Sequence, residues 1–243
     1  MKFVNRVGEI HTTNEGYSVV IIECFSTHNC TIQFENGTVI KNRYYKDMLR
    51  GNVKNPYHPS VCNIGYNGVG KYSNKTHRGA YTAWYNMLFR CYNEKEQEKH
   101  PTYKDCTVVD EWYNLQVFAE WYENNYTEGF ELDKDILVKG NKVYSPKTCR
   151  LIPKEIDTVL VSCNKSRGEL PIGVMKHENK FEVQISNKGV KGWVGYFNTI
   201  QEAFQAYKKT KEKIIKKLSD KYRQQIAEDI YQALYNYQVE IDD

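Results

Sequence analysis

The spacing of apolar residues changes character several times along the chain. From Tyr17 to Phe25 it is dense in β-branched residues, with Val19, Val20, Ile21 and Ile22 in succession. A second run, Thr31 to Phe34, meets Asn36-Gly37 and continues into Thr38-Val39-Ile40. This pattern predicts a β-hairpin with a type I′ turn, because Asn and Gly both tolerate positive φ. Gly51 to Pro56 closes the segment. Residues 1–55 are therefore expected to form a small β module, a twisted barrel of SH3-like kind.

Residues 56–80 carry Gly65, Gly68, Gly70 and Gly79 among Asn, Ser, Lys and His, with few aliphatics. They read as a linker or an extended arm. Beyond it the period becomes helical. Tyr81, Trp84, Tyr85, Leu88 and Cys91 share one seam; Trp112, Leu115, Phe118, Ala119 and Tyr122 share another. Two amphipathic helices follow, separated by a loop at His100-Pro101. Leu132 to Leu137 is strand-like, Lys139-Gly140-Asn141 is a turn, and Val143-Tyr144 begins a return strand. Pro153 suits the first turn of a helix over 154–161. Residues 81–167 thus hold two helices and a ββα unit.

In residues 168–243 the alternation is strict. Phe181, Val183 and Ile185 point one way, and Lys180, Glu182, Gln184 and Ser186 the other. A further strand runs from Trp193 to Phe197. Thr199 and Glu202 form a capping box that starts a long helix, with a restart near Ser219-Asp220. The fold class is α+β: a β module, central helices with a ββα unit, and a three-stranded sheet backed by a long helix.

Composition narrows the function classes. The 243 residues are 40% hydrophobic, as a globular chain requires, and 14% aromatic, with 20 tyrosines. Tyrosine suits half-wet interfaces and base stacking, or the finishing of thin cores. The net charge of +4 is too small to demand a nucleic-acid partner by itself. Seven cysteines without a CxxC pair argue against a disulfide framework or a zinc ribbon, so reduced thiols are expected. No apolar stretch has membrane-spanning length and no signal peptide is visible. The expected location is the cytoplasm of a bacterial host, with no membrane partner.

Several runs resemble a known family. Tyr81-Thr82-Ala83-Trp84-Tyr85-Asn86-Met87-Leu88-Phe89-Arg90-Cys91-Tyr92 is similar to the opening of phage HNH-like (His-Me finger) proteins. Leu132 to Leu137, then Tyr144-Ser145-Pro146-Lys147-Thr148-Cys149, resembles that family's core. Gly173-Val174, Gly195-Tyr196-Phe197 and Thr199 to Tyr207 resemble the APETALA/ethylene-response-factor DNA-binding domain that such proteins carry. The N-terminal residues resemble short β-rich modules of the same proteins.

The resemblance implies a metal-assisted nuclease site, but the chain departs from it. An HNH site needs a general-base histidine on the first strand, an asparagine to orient it, and a metal ligand on the helix. Here Asp133, Lys134 and Asp135 occupy the first strand, Thr148 falls near the asparagine position, and Asp157 lies on the helix. None of His11, His28, His58, His77, His100 and His177 is in the ββα unit. Asp133, Lys134 and Asp135 are the catalytic candidates. Asp133, Asp135 and Asp157 are the candidate ligands for Mg²⁺ or Mn²⁺, since hard oxygens suit such ions. The competing reading is a retained scaffold in which these side chains make structural hydrogen bonds and ion pairs.

For DNA contact the candidates are Arg90, Lys180, Gln184, Lys188, Lys191 and Trp193, with Lys208 and Lys211 from the lysine-rich helix. A three-stranded sheet can enter the major groove, where Gln reads adenine. Solvated lysines are the plainer explanation of the helix charges. The expected function is duplex DNA binding by a phage protein related to HNH homing endonucleases, with weak or lost phosphodiesterase activity. The alternative is an anti-defence inhibitor that grips a host nuclease or defence complex through protein contacts.

Overall fold

The computed structural model describes residues 4–160, 170–187 and 190–241. The chain is mixed α+β and divides into two compact units, Met1–Tyr81 with Asp110–Ala119, and Thr82–Val109 with Glu120–Asp243. In chain order the elements begin with strands β1 (Ile10–Thr12), β2 (Ser18–Ser26), β3 (Asn29–Phe34) and β4 (Val39–Arg43), then the short helix α1 (Tyr45–Leu49). Helices α2 (Arg78–Tyr92) and α3 (Glu94–Lys99), strand β5 (Thr107–Val108) and helix α4 (Leu115–Asn125) follow. The later elements are β6 (Phe130–Asp133), β7 (Val143–Tyr144), β8 (Arg150–Pro153), α5 (Lys154–Leu160), β9 (Val174–His177), β10 (Lys180–Asn187), β11 (Val190–Phe197), α6 (Ile200–Lys221) and α7 (Glu228–Tyr235).

In the first unit the order β1-β2-β3-β4 is an antiparallel meander. Among the described residues β1 and β4 are not paired, so the barrel closure expected from the sequence is not seen. One face of the sheet buries Val19, Ile21, Ile32 and Phe34 against Met48 of α1 and Val53. The β3–β4 turn also differs from the type I′ expectation. Phe34 N–H donates to Thr38 O at 2.9 Å across Glu35-Asn36-Gly37, and of these three only Gly37 has positive φ, +83°. A three-residue loop with Gly in the left-handed position is the next most common way to close a hairpin after the two-residue loop. Cys24 and Cys30 stand opposite each other in the β2–β3 register and are joined by a disulfide, Cα–Cα 4.0 Å, where reduced thiols were expected. Cys62, Cys91, Cys106 and Cys149 are free.

The segment expected as a linker is tied down. Tyr66 N–H donates to Tyr113 O, and Leu115 N–H to Tyr66 O, both at 2.9 Å. The Gln116 side chain accepts from Tyr72 N–H at 3.0 Å and donates to the carbonyls of Tyr72 and Asn67 at 2.9 and 2.8 Å. A Cβ at Gly70 would lie 2.2 Å from Gln116 Oε1. The glycine there reflects close approach of the chain to a side chain, and composition alone does not distinguish that from looseness.

In the second unit, β6 pairs antiparallel with β8, and α5 follows directly. The ββα order is therefore present, but its strands are β6 and β8. β7, read as the return strand, instead pairs in parallel with β5. The C-terminal part is the three-stranded antiparallel sheet β11-β10-β9. Its inner face, with Val174, Val183 and Ile185, shares a core with Ala203, Phe204 and Tyr207 of α6. The Thr199–Glu202 capping box is formed reciprocally, as the sequence predicts. The helix then breaks after Lys221, and α7 restarts it at Glu228. Among the described residues no helix is long and apolar enough to cross a membrane.

Candidate functional site

The ββα unit and the C-terminal module together line a cleft of about 430 Å³. Asp133, Lys134, Asp135, Asn141 and Asp157 contribute from one side, and Tyr207, Lys211, Tyr237 and Val239 from the other. Strand β6 stops at Asp133 because the chain turns there. Asp133 Oδ1 accepts from the backbone N–H of Asp135 at 2.8 Å and of Ile136 at 2.6 Å, an Asx turn. Asp135 consequently lies beyond the strand and does not alternate onto one strand face with Asp133 as predicted. Its carboxylate instead meets Lys134, with Nζ 2.6 and 2.5 Å from the two oxygens. Lys134 is buried and also donates to Asn141 O at 2.8 Å. Asn141, which sequence reasoning treated only as a turn residue, donates to the carbonyls of Lys134 and Val143. It holds the loop between β6 and β7.

Asp133 feels the charge of Asp157. Burial pushes the Asp133 carboxyl up to about 6, against the pull of its two N–H donors. Burial also raises Asp157, helped by Glu131 and opposed by Arg90 and Lys154. A carboxyl of this kind in a cleft can take a proton near neutral pH. A Mg²⁺ or Mn²⁺ ion there would draw on Asp133 and Asp157, and Asp133 Oδ1 already accepts from two N–H groups. A cation held by Asp133 and Asp157 would polarise a phosphoryl oxygen. Asp135 is already engaged by Lys134, and among the described residues no three His, Cys, Asp or Glu side chains are grouped to hold a metal. Burial pushes the Cys91 and Cys149 thiols up to about 12, so neither is a thiolate at neutral pH.

Arg90, predicted to contact DNA, is half-buried in the same unit. Its guanidinium lies 5.2 Å from the Tyr103 ring centroid and bonds the Tyr144 hydroxyl. Its charge faces Asp157. Lys208 and Lys211 also turn inward. Lys208 donates to Val239 O at 2.7 Å and pairs with Glu212 at 3.4 Å, while buried Lys211 reaches the Tyr207 hydroxyl at 3.3 Å. None of the three extends into solvent as a phosphate grip would.

The C-terminal sheet behaves differently. Lys180, Glu182 and Gln184 of β10 project from the face away from α6, as alternation predicts. The β10–β11 register shifts at Val183/Gln184, pairing Val183 with Gly195 and Gln184 with Trp193. Val194 is thereby the extra residue of a bulge, and Trp193 and Tyr196 emerge on one face. Trp193 is 62% exposed, and its ring meets Tyr196 edge-on at 5.6 Å. His177 of β9 adds its ring 5.0 Å from Tyr196, and Met175 is exposed beside them. The Gln184 amide donates to Glu182 at 3.0 Å. Lys188 and the side chain of Lys191 lie outside the described residues. Tyr196, His177 and Met175 were not anticipated, because a strict two-residue period assigns Tyr196 to the face opposite Trp193.

Comparison with protein-family models, with curated proteins and with solved structures finds no match.

Proposed function

We propose that the chain binds duplex DNA through the outer face of its C-terminal sheet, and that the ββα unit is a reduced HNH-like remnant with weak or lost phosphodiesterase activity. One observation carries the reading. A sheet face turned away from its own helix presents Trp193, Tyr196 and His177 beside Lys180 and Gln184. Rings and an amide on a narrow, twisted sheet are groups that can meet base edges and sugars, and a flanking cation meets phosphate. The cleft supports the enzymatic part more weakly. It holds a proton-accepting carboxyl and a second carboxylate for Mg²⁺ or Mn²⁺, but no histidine, and Lys134 is already paired.

Titration of the full chain with duplex DNA, followed by tryptophan emission, tests the binding. Trp84 and Trp112 are fully buried and Trp121 is partly buried, so quenching that disappears in Trp193→Phe is assigned to Trp193. Trp193→Ala should weaken binding at least tenfold, and Gln184→Ala should relax preference among sequences by about 1–3 kcal/mol at one base pair. Duplex binding unchanged by both substitutions would sink the proposal.

The exposed Trp193, Tyr196 and Met175 also support a second reading, a protein partner such as a host nuclease or defence complex that the chain inhibits. A partner captured from host lysate after nuclease digestion, and lost with Trp193→Ala, would favour that reading.

A further inference from the structure

Helix α6 has two unlike sides. Ala203, Phe204, Tyr207, Lys211, Ile215 and Leu218 are buried. With 3.6 residues per turn these fall on one side, and Lys209, Lys213, Lys216 and Lys217 fall on the other. All four are exposed. Among the described residues, Lys209, Lys213 and Lys217 have no carboxylate within ion-pairing distance. Lys216 lies 4.9 Å over the Tyr235 ring of α7, Tyr235 stacks on Tyr231 at 5.6 Å, and Arg223 lies 4.4 Å over Tyr231. Of the nearby acids, Glu212 pairs with Lys208 and accepts from Val239 N–H, Glu228 pairs with Arg223, and exposed Asp220 accepts from the Tyr231 hydroxyl at the C-terminal end of the stripe. The helix thus carries a net basic stripe in which Lys209, Lys213 and Lys217 are unpaired among the described residues, with Asp220 at its C-terminal end and an aromatic–cation row beyond it whose Arg223 is paired with Glu228.

We infer that this outer face of α6 is a second surface for duplex DNA, so that one chain joins two DNA segments. The inference rests on the sheet face as the site of the first. Sheet and helix are the two layers of the module, with the shared core between them. A straight duplex lying on Trp193 therefore cannot also touch Lys213. Lys209, Lys213 and Lys217 recur every four residues, about 6 Å apart along the axis. Like charges at that spacing destabilise a helix, and a closely spaced anionic backbone relieves the repulsion by releasing its counterions. Lysines act as point charges without base-edge geometry, so this contact should be indifferent to sequence. An anionic membrane is disfavoured, because the stripe between Gln205 and Lys217 lacks the large apolar side chains that an interfacial helix inserts.

The test is the stoichiometry of full-length protein with excess short duplex, read by sedimentation at low salt. The expected result is one chain carrying two duplexes. Lys209→Glu with Lys213→Glu and Lys217→Glu should leave a one-to-one complex that keeps the sequence preference of the first site. The same three positions changed to Gln should reduce the salt slope of the weaker site by about 2.7. A wild-type chain that saturates at one duplex per chain overturns the inference while leaving the sheet reading intact. Two duplexes still bound by the Glu variant, with its helical circular dichroism unchanged, overturns it as well. A wild type that binds no duplex removes the sheet reading itself.

Discussion

Lys134 Nζ lies 2.6 and 2.5 Å from the two carboxylate oxygens of its own neighbour, Asp135, while its side chain is only 9% exposed and that of Asp135 is 43% exposed. The two partners of this ion pair therefore differ in what their loss leaves behind. Asp135→Ala strands a buried ammonium with one carbonyl partner, and should cost about 2–4 kcal/mol. Lys134→Met leaves a carboxylate that water can reach, and should cost about 1 kcal/mol or less. Urea unfolding of both variants measures the difference; equal losses would contradict the asymmetry. Loss of DNA cleavage in Asp135→Ala is consequently interpretable only beside its stability.

Asp133 gives a pH dependence of defined sign. Its carboxyl is raised from the ordinary 3.8 to about 6, chiefly by burial. The native state then holds a proton between about pH 4 and 6 that the unfolded state has released, so the stability of this group falls as pH rises through that window and is level above it. The full swing is about 3 kcal/mol. Asp133→Asn keeps an Oδ1 acceptor for the N–H groups of Asp135 and Ile136 but carries no charge. Its Tm should exceed that of wild type at pH 8, with the advantage gone at pH 4.

Gly173 connects the sheet to the helix behind it. It has φ +74°, and a Cβ there would lie 2.2 Å from the Tyr207 ring and 2.9 Å from Gln184 O. Gly173→Ala combines a left-handed backbone with a clash against a buried ring, at a cost of about 3 kcal/mol or more. Near-ultraviolet circular dichroism should show the loss of tyrosine packing. A variant as stable as wild type would mean that Tyr207 can move aside.

Gln116 closes the segment from Asn67 to Tyr72 with three side-chain hydrogen bonds. Wild type should resist limited proteolysis there, and Gln116→Ala should open cleavage sites between residues 67 and 78. Equal cutting of both proteins would show that these bonds do not govern the opening of the segment.

The elements with strong local patterns were legible in the sequence. The hairpin strands, the Trp84–Leu88 and Leu115–Phe118 seams, and the capped start of α6 follow from side-chain period and capping chemistry, which act within a few residues. The candidate site was legible only by residue type. Asp133 and Asp157 were both named, but their neighbours were misjudged. The Asx turn at Asp133 and the pairing of β6 with β8 depend on contacts that no local period encodes.

By itself, then, the sequence determined the α+β class, the alternating faces of β10, and the absence of any histidine from the ββα unit. Tertiary structure decided the rest. It drew Lys208 and Arg90 inward, because each found a carbonyl or ring from a distant segment and a long side chain can bend toward it, and it buried Lys211 against the Tyr207 hydroxyl one turn earlier on the same helix. It also brought Trp193 and Tyr196 onto one face, because a bulge in β11 adds a residue that β10 does not match. A single register shift reverses every side chain beyond it, and only the paired strand sets where that shift occurs.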